Sequence, residues 1–291
     1  MNDGRIKLEQ INDGITNITL ELNHQLLNAK QQKIVDWLKV CDPSTNHNAA
    51  RNAHQPETGS WFINSSEFVK WRDNEIRSLW LQGIPGAGKT ILCSTIIDEI
   101  QKYCISRPEY RSVYFYFDFN DKKKQVLNSF LQSVIIQLLV YRQDIPIDVQ
   151  SLYDSCRGNQ PTRDALITIL LSLLKTSNRT YILIDALDEC CERDKMVDLL
   201  KHLILSSDSV NILVTSRKEQ DIIMNLQCHI DIVICIQTAK VNADVDLYIR
   251  KCLDTDTKLK RCLPIREDVI KALVEGVNGM YLPSIVPINR L

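Results

Sequence analysis

The residues best suited to chemistry are Gly83-Ile84-Pro85-Gly86-Ala87-Gly88-Lys89-Thr90, which fit the pattern G-x-x-x-x-G-K-[ST] at every fixed position. Glycines at 86 and 88 let the backbone curl so that successive N–H groups point inward, a concavity that accepts phosphate oxygens. A helix beginning near Lys89 adds the positive end of its dipole. The Lys89 ammonium then reaches the β- and γ-phosphates, and the Thr90 hydroxyl ligates magnesium. The expected nucleotide-binding set is Gly83, Pro85, Gly86, Ala87, Gly88, Lys89, Thr90 and Ile91. The expected cofactors are ATP or GTP with Mg2+.

A second cluster lies at Tyr181-Ile182-Leu183-Ile184-Asp185-Ala186-Leu187-Asp188-Glu189, an apolar run that ends in acid. At the carboxyl end of a parallel strand, Asp185 would face the phosphate loop and hold magnesium, through a water. Asp188 and Glu189 are the expected catalytic acids, one of them orienting or deprotonating the attacking water, and Asp188 is the first choice. The bland alternative for this pair is a helix N-cap. A third piece, Asn211-Ile212-Leu213-Val214-Thr215-Ser216-Arg217, ends in an arginine expected to point at the γ-phosphate, against the alternative of an ordinary surface ion pair.

These pieces need a scaffold. Short apolar runs at 79–81, 112–117, 181–184, 211–214 and 229–236 alternate with helical patterns at 90–103, 124–141, 161–176, 194–206 and 218–225. Strand and helix in alternation predict an α/β fold, a five-stranded parallel sheet with helices on both faces. Ile11, Ile15, Ile18, Leu22 and Leu26 share one helical face that continues to Ile34, Trp37 and Leu38. From Cys41 to Gly59 the composition turns polar, and Pro43, Ser44, Thr45, Asn46, His47, Asn48 and Asn52 predict irregular backbone. Aromatic anchors return at Trp61, Phe62, Phe68, Trp71 and Trp80. The expected divisions are an N-terminal helical segment (1–40), an irregular lead-in (41–77), the core (78–237) and a helical lid (238–291) cut short by Pro283 and Pro287.

Bulk properties narrow the function classes. Net charge is −1, from 35 basic and 36 acidic residues, which gives no electrostatic footprint for nucleic acid. Ten cysteines occur without any C-x-x-C pair, and the five histidines are scattered, so zinc is not expected. Free thiols in apolar runs fit a reducing compartment. The polar N-terminus is not a signal peptide, and no apolar stretch reaches the roughly 18 residues of a membrane span. A cytoplasmic location is the resulting expectation.

The three quoted stretches, residues 83–90, 181–190 and 212–217, together resemble the NACHT domain of signal-transduction NTPases (STAND-class P-loop NTPases), and within it the fungal nephrocystin-like N-terminal group. Ala186 after the first Asp, followed by Leu-Asp-Glu, is similar to that family's Walker B variant, and residues 83–90 match its Walker A loop. Residues 37–44, 57–62 and 115–119 are similar to its lead-in and second strand. The resemblance runs from about residue 33 to 281. It implies that the strand ending in Arg217 lies between the loop strand and the acid strand. It also implies slow ATP or GTP hydrolysis, self-association or a partner signalling protein, and roles in fungal non-self recognition or cell death. Residues 54–59 are implied to lie near the nucleotide base. The family's effector domain, winged helix and repeats are not recognisable here, so the chain reads as a truncated member. Two other functions compete: a P-loop kinase for a small molecule or nucleotide, and a nucleotide-binding fragment without turnover.

Overall fold

The computed structural model describes residues 29–142 and 144–236, together with Glu267. The expected helical face upstream of residue 29 and the expected lid after 237 lie outside the described residues, save Glu267. Within them the helices are α1 (Ala29–Leu38), α2 (Ser44–Ala53), α3 (Ser60–Ile63), α4 (Ser66–Arg72), α5 (Lys89–Ile105), α6 (Leu127–Val140), α7 (Ile147–Cys156), α8 (Arg163–Lys175), α9 (Arg193–Ser206) and α10 (Gln220–Leu226). The strands are β1 (Ser78–Gln82), β2 (Tyr110–Tyr116), β3 (Arg179–Asp185), β4 (Val210–Ser216) and β5 (Ile232–Cys235).

All pairings are parallel, in the order β2-β3-β4-β1-β5. β4 therefore lies between the loop strand β1 and the acid strand β3, as the resemblance implied. Side chains alternate across the sheet, so each face gathers its own core. Trp80, Phe115, Ile182, Ile184, Ile212 and Val214 pack under α6, α8, α9 and α10. Leu79, Leu81, Tyr181, Leu183 and Leu213 pack under α5 with Phe62, Phe68 and Trp71. Central β1 and β4 are buried along their whole length, which is why their sequences are apolar without alternation.

The lead-in is not irregular. Residues 44–53 form α2, and 60–72 form α3 and α4. α2 lacks an apolar stripe because its inward face is polar: only His47 and Ala50 are buried, one turn apart. Its anchors reach Asp98 on α5, with His47 Nε2 3.0 Å from one carboxylate oxygen and Arg51 Nε paired to the other at 2.6 Å. Composition misses a helix whose docking is electrostatic. The aromatic anchors behave as expected: Trp71 is fully buried, its indole N–H donating to the Ile212 carbonyl at 3.0 Å.

One edge of the sheet is closed by a side chain. The Tyr114 N–H donates to Gln137 Oε1 (3.0 Å), and Gln137 Nε2 donates back to the Tyr114 carbonyl (2.8 Å). Both outward backbone groups in the middle of β2 are thereby occupied from α6.

Candidate functional site

Three strand ends converge at one edge of the sheet. β1 runs into residues 83–88 and then α5. Gly86 and Gly88 adopt φ of 74° and 78°, a left-handed backbone that any side chain would strain. A Cβ on Gly83 would meet Ala87 Cβ at 3.2 Å and Ile236 Cβ at 3.4 Å, so a side chain there would have to push these neighbours aside. Lys89 opens the 17-residue helix α5. Its ammonium donates to the Gly83 and Ile84 carbonyls at 2.8 and 2.9 Å, which holds it over the loop. Burial lowers its pKa, and the facing Asp188 and Asp185 carboxylates oppose that shift.

β3 delivers Asp185, only 2% exposed. One carboxylate oxygen accepts from Thr90 Oγ1 at 2.7 Å and the other from Thr215 Oγ1 at 2.6 Å. Burial raises its pKa, although those hydroxyls and Lys89 pull the other way. Ala186 then takes φ 55°, turning the chain sharply so that Asp188 and Glu189 come back toward the cleft. A small residue suits that left-handed position, since a larger Cβ-branched one would clash.

β4 delivers Arg217. Asp188 binds it twice, accepting from its backbone N–H at 2.9 Å and pairing with Nε at 3.1 Å. The Glu189 carboxylate lies 3.8 Å from Arg217 Nη2, and its other oxygen accepts the Phe119 N–H at 2.8 Å. Burial raises the Glu189 pKa, against the Phe119 hydrogen bond. An open cleft of about 740 Å³ is lined by residues 85–91 with Ala186, Asp188, Glu189, Thr215 and Arg217.

This donor set fits a magnesium–polyphosphate. Curled loop amides, a helix N-terminus and Lys89 supply the anion cradle. Three carboxylates against two cations (Lys89 and Arg217) would repel a bare polyphosphate, and a divalent cation between them removes the conflict. The Thr90 and Asp185 oxygens are hard ligands of the kind magnesium prefers, few enough that phosphate and water complete the shell. Among the described residues, no group of three or more His, Cys, Asp or Glu could hold a metal alone.

The structure thus brings together every residue of the three sequence motifs. Asp185 touches Thr90 directly across the cleft. Arg217 is turned onto the carboxylates. Of residues 54–59, Gly59 lies against α5, where a Cβ on it would stand 3.1 Å from Leu92 Cδ1. Sequence reasoning missed Thr215, which fixes Asp185 and also accepts the Ala186 N–H at 3.0 Å. The usable signal was register: Ile184 pairs with Val214, so the next residues on each strand are neighbours. It also missed the Phe119 amide, which no side-chain pattern announces.

The nephrocystin 3 N-terminal family matches residues 57–217, more than half of the chain. The chain is 28% identical over 197 residues to the vegetative incompatibility protein HET-E-1 of Podospora anserina, an alignment covering 64% of this chain. The match spans 14% of that relative's length. Among solved structures, the Walker-type ATPase paby2304 of Pyrococcus abyssi is similar at a TM-score of 0.47 and 12% identity, over 78% of this chain and 67% of that one. The Orc1 protein of Aeropyrum pernix, in complex with DNA, is similar at 0.39 and 12%, over 73% and 60%.

Fold, site and relatives define a nucleotide-binding P-loop NTPase module. The chain belongs to the nephrocystin 3 N-terminal family and is of NACHT type. No helix among the described residues is long and apolar enough to cross a membrane.

Proposed function

We propose that this module binds ATP or GTP with magnesium, hydrolyses it slowly, and uses the bound state as a conformational or assembly switch. The observation that carries the reading is the contact of Thr90 Oγ1 with Asp185 Oδ2 at 2.7 Å, beneath the Lys89 ammonium. In this reading residues 83–91 cradle the phosphates and Lys89 neutralises them. Thr90 and Asp185 hold magnesium, which when bound offsets charge on the phosphate oxygens. Arg217 senses the terminal phosphate. Asp188 spends both oxygens on Arg217 at hydrogen-bond distance, whereas one oxygen of Glu189 makes only the longer 3.8 Å ion pair to that arginine, so Glu189 is the better acceptor for a water proton. Asp188 then acts as the positioning acid for Arg217, a reversal of the order expected from sequence.

The relative's name ties this type of module to vegetative incompatibility, a non-self response. A cytoplasmic signalling role with self-association, or with a partner signalling protein, follows as the proposed setting. Residues 54–59 are the proposed neighbours of the base.

Single-turnover assays with radiolabelled ATP and GTP test the reading. Free phosphate as product supports it. A labelled acceptor would convert it to a kinase, and binding without product to a nucleotide-holding module. For the loop, Lys89→Ala should lower triphosphate affinity by at least about tenfold, since charge-assisted hydrogen bonds are each worth about 1.5–3 kcal/mol. Equal affinities by calorimetry would overturn the assignment.

A further inference from the structure

Four consecutive residues, the last of β2 and the three that follow, alternate between two neighbours. Tyr116 turns its hydroxyl to His47 Nδ1 on α2, at 3.0 Å. The Phe117 N–H donates to the Asp185 carbonyl at 3.1 Å. Asp118 turns its carboxylate back to α2, accepting from Asn46 Nδ2 at 2.9 Å. The Phe119 N–H donates to the Glu189 carboxylate at 2.8 Å. Side chains 116 and 118 thus face α2, while amides 117 and 119 hold two of the three acidic residues of the cleft, Asp185 by its backbone carbonyl and Glu189 by its carboxylate.

α2 is itself fixed on both sides. The Asn46 carboxamide is oriented by the buried Lys124 ammonium, which donates to Asn46 Oδ1 and to Thr45 Oγ1, the latter at 2.6 Å. His47 and Arg51 grip Asp98, and Arg51 Nη1 donates to Thr95 at 3.2 Å. Asp98 and Thr95 lie on α5, the helix that opens with Lys89 and Thr90. One short helix therefore connects the phosphate-binding half of the cleft to the segment that holds its acidic half. The polar inward face of α2, unusual for a packed helix, is what makes both connections.

We propose that α2 is a strut that sets the position of Asp185 and Glu189 relative to the Lys89–Thr90 helix start, with Asn46 and His47 as positioning residues. The idea rests on the magnesium-nucleotide reading for its consequence, but its structural half stands separately.

Two measurements test it. In the nucleotide-free chain, Asn46→Ala should speed amide exchange at Phe119 by about tenfold while amides of α5 stay within about twofold. Unchanged exchange at Phe119 would overturn the strut. In the second measurement, nucleotide affinity is determined in EDTA and with Mn2+, using paramagnetic resonance to count bound metal. For Asn46→Ala and for His47→Leu, affinity in EDTA should stay within about twofold, while Mn2+ affinity of the nucleotide complex falls about tenfold, as loss of one aligned bond would give. Equal loss with and without metal would show mere destabilisation and overturn the proposal; so would no loss in either. Asn46→Ala removes the bridge to Asp118 and one acceptor of the Lys124 ammonium, which keeps Thr45 Oγ1, and it serves as the second variant should His47→Leu fold poorly. If the wild-type chain binds no Mn2+-nucleotide while Phe119 exchange responds as expected, the functional reading fails and the strut does not.

Discussion

At the residue scale, the two acids that follow Asp185 have different neighbours and should fail differently. Glu189→Gln keeps the Phe119 hydrogen bond, because the amide oxygen still accepts, but removes the base. Phosphate release should fall by about two to four orders of magnitude with nucleotide affinity little changed, the usual range for a lost proton acceptor. Asp188→Asn loosens Arg217 instead, so both the triphosphate-over-diphosphate preference and the rate should fall. Parallel calorimetry with ATP and ADP separates the two. Normal turnover in Glu189→Gln would return the role to Asp188. The phosphate loop was legible because its signal is local: eight consecutive residues whose backbone shape follows from their own glycines. Thr215 and the Phe119 amide were not, because each acquires its role from a partner that only the folded register supplies.

At the element scale, strands were read more easily than small helices. β3 and β4 advertise burial on both faces through unbroken apolar runs. α2 carries almost no apolar face, so periodicity offers nothing to detect there; α7 has a short one, buried Val149 with Leu152 and Tyr153 partly buried against the core, but it spans little more than two turns. What joins elements can also be polar. Asp231, just ahead of β5, accepts from the Arg77 N–H (2.8 Å), the Ser78 N–H (2.9 Å) and the Ser78 hydroxyl (2.9 Å). Burial alone would raise its pKa, but these donors outweigh burial and hold it below the ordinary carboxylate range. A depressed folded pKa gives stability that is present above the unfolded value, about 3.9, and is lost as pH falls through the folded one. The denaturant midpoint of Asp231→Asn should therefore trail wild type by a constant amount from neutrality to mild acid. The gap should close only below the usual carboxylate pKa. A gap that persists unchanged in strong acid would show that charge at Asp231 is irrelevant to how β5 is held.

At the scale of the whole molecule, the cleft joins β1, β3, β4 and α5, so its ligand should stabilise the entire sheet. At a hundred times its dissociation constant, a ligand specific to the folded state adds about 2.7 kcal/mol. At about 2–4 °C per kcal/mol for a domain of this size, Mg2+-nucleotide should raise the melting midpoint by about 5–10 °C, and Lys89→Ala should abolish the rise. A comparable rise in the variant would place the ligand elsewhere. The layered architecture and the interposed β4 were both legible, the first from alternation of patterns, the second only through resemblance.

The Gln137 carboxamide has a consequence at this scale too. A strand at the margin of a sheet offers a ladder to any extended chain that drifts past, and many proteins assemble or misassemble by extending that ladder. Here the central rung is already taken by a side chain from a helix, so a copy of the molecule meeting that margin finds the middle of the strand occupied. Growth of this sheet across chains is therefore barred in the middle of β2. Gln137→Leu would free both backbone groups, and its solutions should scatter light where the parent stays clear.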